Sequence, residues 1–124
     1  MAASDHLSSE LFRAIRKPKV TQPLGIHWSS VNEPNKGAGL FVFPDKGEKH
    51  TIVHGRVNPR SIVTGNDKEF MDKHQILDQG EPEYEQPVYP GSKVAVTAET
   101  RVRNVGGKVK KRKRSYNPPR EMKA

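Results

Sequence analysis

Residues 80–103 read GEPEYEQPVYPGSKVAVTAETRVR, and the reading of this stretch decides the fold. Its second half alternates Val94, Val96 and Ala98 against Lys93, Ala95 and Thr97. That period of two is the pattern of a strand with one face buried. Its first half places Glu81, Glu83 and Glu85 at spacing two, between Gly80 and the strand. On an extended chain residues two apart share a face, so the carboxylates would crowd one another and raise at least one pKa. The stretch is either a solvated acidic loop or a site that uses clustered carboxylates.

Upstream, Thr51-Ile52-Val53-His54-Gly55-Arg56-Val57 is the clearest strand, stopped by Asn58-Pro59. Leu24-Gly25-Ile26-His27-Trp28-Ser29-Ser30 reads as another, bounded by Pro23 and the turn-rich VNEPNKGAG. Leu40 to Phe43 reads as a third, closed by the turn Pro44-Asp45-Lys46-Gly47. Lys68 to Leu77 carries Phe70, Met71, His74 and Leu77 at helical spacing. Ser4 to Lys17 fits two elements. Leu7, Leu11 and Ile15 at four-residue spacing, with Ser4 or Asp5 as cap, favour a short amphipathic helix, whereas Leu11 to Ile15 alone favours a strand. Pro18 ends either one. With 10 Gly and 10 Pro in 124 residues, long helices are not expected. The fold class is α+β, mostly β.

The formal net charge of +8 belongs to one end of the chain. Residues 1–100 hold 12 Lys+Arg and 13 Asp+Glu, while residues 101–124 hold 10 basic groups and one acid, Glu121. This divides the chain into a nearly neutral domain, 1–103, and a basic tail, 104–124. The tail follows Gly106-Gly107, read as a hinge, and contains Pro118-Pro119. Lys108, Lys110, Lys111, Arg112, Lys113 and Arg114 repel one another and have nothing to bury, so the tail is expected to be disordered or weakly helical until bound. It reads as a solubilising extension, or as a contact for nucleic-acid phosphates or an acidic protein surface. In a eukaryote KKRKR would also pass as a nuclear localisation signal.

The absence of cysteine excludes a disulfide scaffold, thiolate zinc sites and thiol catalysis. The longest apolar run, Leu40 to Phe43, is far short of the ~20 residues of a membrane span. MAASDHLSSE shows neither a basic n-region nor an apolar h-region, so a cytoplasmic location without membrane contact is expected. His50 and His54 lie on a predicted strand and its entry, about 13 Å apart, too far to share a metal, and no metal site is expected.

Glu83-Tyr84-Glu85, followed through Pro90-Gly91 by the strand Lys93 onward, resembles the Glu-x-Glu turn of mono-ADP-ribosyltransferases, most of all the small phage and bacterial type. His27-Trp28-Ser29-Ser30 resembles the strand end that carries that family's Ser-Thr-Ser motif, and Leu11 to Ile15 its first strand. The resemblance spans residues 11–103 and implies a split β-sandwich of short strands with one or two short helices. That fold would be trimmed here, because NEPNKGAG stands where a helix is usual. It implies NAD as substrate and a protein (arginine-type) or nucleic-acid acceptor. It further implies that Glu85 stabilises the oxocarbenium-like transition state, that Glu83 orients or deprotonates the acceptor and that Ser29 braces Glu85. Arg13 would grip a phosphate, a role that His27 could take instead, and Ser30 would lie beside the cofactor. Trp28 reads as a core anchor or as a stacking platform for the cofactor. The alternative is a non-enzymatic β-rich binding protein that uses its basic arm.

Overall fold

The computed structural model describes residues 6–41, 43–76 and 79–124. Among these residues the chain is mostly β, with six strands and one α-helix. The strands are β1 (Ser9–Ile15), β2 (Asn32–Glu33), β3 (Lys36–Gly37), β4 (Lys49–Val57), β5 (Lys93–Val105) and β6 (Lys108–Lys123); the helix is α1 (Lys68–Lys73). Four strands form an antiparallel sheet in the order β1-β4-β5-β6, and β2 and β3 form a small hairpin.

The two readings of the N-terminal segment resolve to a strand. β1 pairs with β4 from Ser9↔Val57 to Ile15↔Thr51, burying Leu11 in the core. Pairing along the whole β4 edge, with the single bridge Phe12↔Ser29 on the other edge, outweighs the modest helical preference of a seven-residue stretch. Ser4 and Asp5, the candidate caps, lie outside the described residues.

The sheet is covered on both faces. Leu11, Val53, Val57, Val94 and Val96 pack with Leu24, Trp28 and Val88 in the main core. Trp28 lies so close over Gly55 that a Cβ there would come within 3.1 Å of its ring. On the other face Ile52 and Val102 meet Ala38, with Phe12 and Ala14 alongside. Ala38 belongs to a 3₁₀ turn, Ala38–Phe41, which replaces the strand expected at Leu40 to Phe43; Val42 lies outside the described residues. The Ala38 N–H donates to the Val31 carbonyl and closes the β2–β3 hairpin back on itself, so the chain has no room to extend there.

Helix α1 is shorter than the Lys68 to Leu77 periodicity predicts, since Gln75 takes φ +53 just past it; Leu77 is not among the described residues. Its Met71 packs with Val63 and Ile76 in a third cluster. Asp67 caps the helix by accepting from the Phe70 N–H and also accepts from the Tyr89 hydroxyl at 2.6 Å.

The expected disordered tail is instead strand β6. It pairs with β5 from Val105↔Lys108 to Lys93↔Lys123. Gly106 and Gly107, with φ +60 and +86, form a tight two-residue hairpin turn of the kind that needs positive φ at both positions, and not a hinge. At the far end Met122 and Ala124 enter the main core at 5% exposure each. Backbone bonds from Leu24 to Lys123 and from Ala124 to Ser92 tie that end down. Pro118-Pro119 fits because β6 is an edge strand and the register shifts there, Ala98 facing Ser115 and Val96 facing Arg120. Charge composition alone missed the anchors at both ends, so residues 1–103 do not close the domain.

Two outcomes test this account. Met122→Ala should cost about 2–5 kcal/mol in urea unfolding, the range for emptying a core site. A cost near zero would mean that the C-terminal strand is not docked. The Asp67 carboxyl is held below its ordinary pKa, first by the Tyr89 hydroxyl and then by the Phe70 N–H. A folded pKa below the unfolded one gives stability that is present above the unfolded value and lost as pH falls through the folded one. In an NMR titration Tyr89→Phe should move the Asp67 midpoint upward, and an unmoved midpoint would remove the hydroxyl as its cause.

Candidate functional site

Beyond β1 the hydrogen bonding continues through short extended segments. Phe12 and Ser29 exchange both backbone N–H···O bonds at 2.8 Å. On the far side of residues 26–30, Gln86 donates to the Trp28 carbonyl, Val88 to Ile26, and Ser30 to Tyr84. The bridges Phe12↔Ser29 and Ser29↔Glu85 therefore place three residues from distant parts of the chain side by side on one pleat. Residues two apart share their face: Phe12 and Ala14 on β1, with Arg16 in the bend just past its end, and His27 beside Ser29.

This face opens into a cleft of about 380 Å³. Phe12, Ala14 and Arg16 line one side, Glu83 and Glu85 the other, with His27 and Ser29 between them and Phe41 of the 3₁₀ turn at the edge. The cleft thus joins cationic, acidic and apolar walls in one space.

His27 Nδ1 stands 2.7 Å from a Glu85 carboxylate oxygen. Glu85 is largely covered, at 18% side-chain exposure, whereas His27 is 51% exposed. A protonated Nδ1 donates to the carboxylate and fixes its orientation. His27 is therefore the hydrogen-bond partner of Glu85.

Ser29 does not brace the Glu85 carboxylate, as the resemblance implied. Its buried hydroxyl lies 2.9 Å from the Glu83 carbonyl and 3.1 Å from that of Tyr84, and it accepts from the Val31 N–H. With one proton to give, the hydroxyl holds the backbone of the Glu83–Tyr84 turn. The Glu-x-Glu stretch is not extended either, because Tyr84 takes φ +49. Glu81 is turned toward Lys36, at 3.6 Å, and receives a hydrogen bond from the Tyr84 hydroxyl. In place of the raised pKa expected from crowding, the Glu81 carboxyl is lowered, by the Tyr84 hydroxyl first and Lys36 second. Two of the three carboxylates remain at the cleft.

Arg13 borders the cleft from the core side of β1. A terminal guanidinium nitrogen donates to the His27 carbonyl, and its Nε is buried without a hydrogen-bond partner among the described residues. Burial lowers its pKa, yet an arginine so placed stays a cation at neutral pH. It props the segment that carries His27, while Arg16, exposed at the cleft, presents its charge to the opening. Arg16 escaped the sequence reading, although its phase with Phe12 and Ala14 follows once β1 is a strand. Trp28 is a core anchor: it is 2% exposed and its indole N–H donates to the Gly25 carbonyl. Ser30 is exposed and lies outside the cleft lining. Lys108 to Arg114 lie on β6, away from the cleft.

Ser29→Ala should cost about 1–3 kcal/mol, because the one hydrogen bond that the hydroxyl donates to the Glu83–Tyr84 turn and the one that it accepts from the Val31 N–H are both lost. It should also speed amide exchange at Glu83 to Glu85. Unchanged exchange there would show that the hydroxyl does not hold the turn.

No protein-family model matches this chain, and no curated protein and no solved structure is significantly similar to it.

Proposed function

We propose that the chain is an NAD-dependent mono-ADP-ribosyltransferase, built as a trimmed form of that family's split β-sandwich. The observation that carries the reading is the single cleft in which Arg16, His27, Glu83 and Glu85 meet, with Ser29 holding the turn between the two glutamates. Four residues from three segments converge there, and the charges suit a dinucleotide: cations for the pyrophosphate, carboxylates for the sugar that becomes positive.

In this reading Glu85, fixed by His27, faces the nicotinamide ribose. As the bond from C1′ to the nicotinamide nitrogen breaks, positive charge spreads over C1′ and the ring oxygen, and the carboxylate stabilises it. Nicotinamide leaves with the bonding electrons. The acceptor nitrogen or oxygen then bonds to C1′, and Glu83 takes the proton that the acceptor loses. Arg16 meets a phosphate at the mouth, Arg13 positions the His27 segment, and Phe12 and Phe41 supply apolar wall for a base. The acceptor is a protein arginine or a nucleic acid.

The test is nicotinamide release from NAD in the presence of free arginine or an oligonucleotide. Glu85→Gln should lower kcat by about 10²–10³, the scale for losing one preorganised electrostatic group at the transition state. Arg16→Ala should raise KM for NAD more than it lowers kcat. Turnover that is unchanged in Glu85→Gln would overturn the assignment.

A further inference from the structure

Strand β6 converts the cationic run into a surface with fixed geometry. Across β4, β5 and β6 the register places Lys49, Arg103 and Lys110 in one row, and Thr51, Arg101 and Arg112 in the next. Adjacent strands lie about 4.8 Å apart, so these rows set like charges directly opposite one another. All five of these cationic side chains belong to the same face of the sheet, the face that carries Val53 and the main core further along. That face borders a trough of about 630 Å³. Its other wall is the segment after β1, held there by the Thr51 hydroxyl, which donates to the Lys17 carbonyl. Lys19 of that segment lines the trough opposite Arg101 and Arg112. The depression continues past Arg101 and Lys19 to Arg114 and Tyr116, whose ring lies 5.5 Å from the Arg114 guanidinium and 5.4 Å from that of Arg120; there the buried Glu99 carboxylate, 3.9 Å from Arg120, ends the run of unopposed cations.

Cations on an exposed edge strand have a simpler use, which is to keep the edge from pairing with other chains. That use needs charge on β6 alone. Here the cations extend inward to Arg101 and Arg103 on a strand paired along both edges, to Lys49 on the next strand and to Lys19 on the facing segment. Opposed cations destabilise the sheet that holds them. The arrangement is one that a polyanion would relieve.

We propose that this trough binds the sugar–phosphate backbone of single-stranded nucleic acid. Cations two residues apart on a strand repeat at about 7 Å, and a charged groove that tracks a flexible backbone is the general mode for single strands. Walls on both sides suit an extended strand and not a flat lipid surface. The proposal does not rest on the transferase reading, since it concerns a different face and its readout is binding.

The experiment titrates the full chain with a fluorescent mixed-sequence 20-mer single strand at several salt concentrations. Wild type should bind with a steep salt dependence. Lys110→Gln/Arg112→Gln should weaken binding at least tenfold and flatten the log–log salt slope by about 1.4, two phosphate contacts at roughly 0.7 each. Lys68→Gln/Lys73→Gln on α1 removes the same net charge and should leave affinity within twofold. The trough variant should unfold at an equal or higher urea midpoint, because it relieves opposed charges, so lost binding is not lost folding. Equal weakening by both variants would reduce the binding to net charge and overturn the proposal. So would indifference to the trough variant, or tighter binding to a duplex of the same sequence or to phosphatidylserine vesicles than to the single strand.

Discussion

The two backbone hydrogen bonds between Phe12 and Ser29 are the constraint on which the site depends. β1 is fully satisfied along its β4 edge, and on its other edge this pair joins the long antiparallel sheet to the irregular half of the chain. From there Trp28 and Ile26 accept from Gln86 and Val88, and the Glu-x-Glu turn is carried into place. Ser29 acts twice: its backbone fixes residues 26–30 to β1, and its hydroxyl fixes Glu83 and Tyr84 to residues 26–30. A single buried serine therefore relates the strand that leads into Arg16 to the loop bearing both glutamates. Trp28 next to it turns to the opposite face, where it fills the core above Gly55. Alternation along three residues thus places a core anchor between two cleft residues, His27 and Ser29.

The parts of the fold that could be read from the sequence are those where one local pattern coincides with tertiary contacts. Thr51 to Val57 and Lys93 onward show alternation or a β-branched run, and both are strands, with Val53, Val57, Val94 and Val96 in the core. The grouping of Ser29, Glu83 and Glu85 was also legible, through the order of the motifs. The details were not, because each depends on a backbone conformation that composition does not encode. Tyr84 at φ +49 breaks the alternation that would have stacked Glu81 on its neighbours. The pairing of His27 with Glu85 joins residues 58 apart and leaves no periodic trace. Arg13 and Arg16 were separable only once β1 was known to be a strand, since three residues apart means opposite faces there and neighbouring positions on a helix.

The sharpest departure, β6, shows why a charge run is a poor guide to order. Disorder was expected because Val109 to Arg114 buries nothing, and it does bury nothing: these side chains are exposed. What orders them lies outside the run. The Gly106-Gly107 turn closes the hairpin cheaply because its two ends are already adjacent in sequence. Met122 and Ala124 then supply the apolar burial that the cations lack.

Register is the remaining problem for such a strand. A one-residue slip exchanges the two faces of a strand, and sequences usually forbid it by the difference between buried and exposed residues. Lys110 to Arg114 contain no such difference, since every residue is a cation and either face would do. The register must therefore come from the ends. The turn sets Val105 against Lys108, and Met122 sets the far end against Val94. The irregularity between them, where Ser115 to Arg120 face only Ala98 to Val96, absorbs the extra residues between these two fixed points. Without both anchors, Arg112 and Lys110 would have no reason to face Arg101 and Arg103 in preference to the other side of the sheet. The cationic rows are thus held in place by a glycine turn and a buried methionine, and not by any attraction of their own.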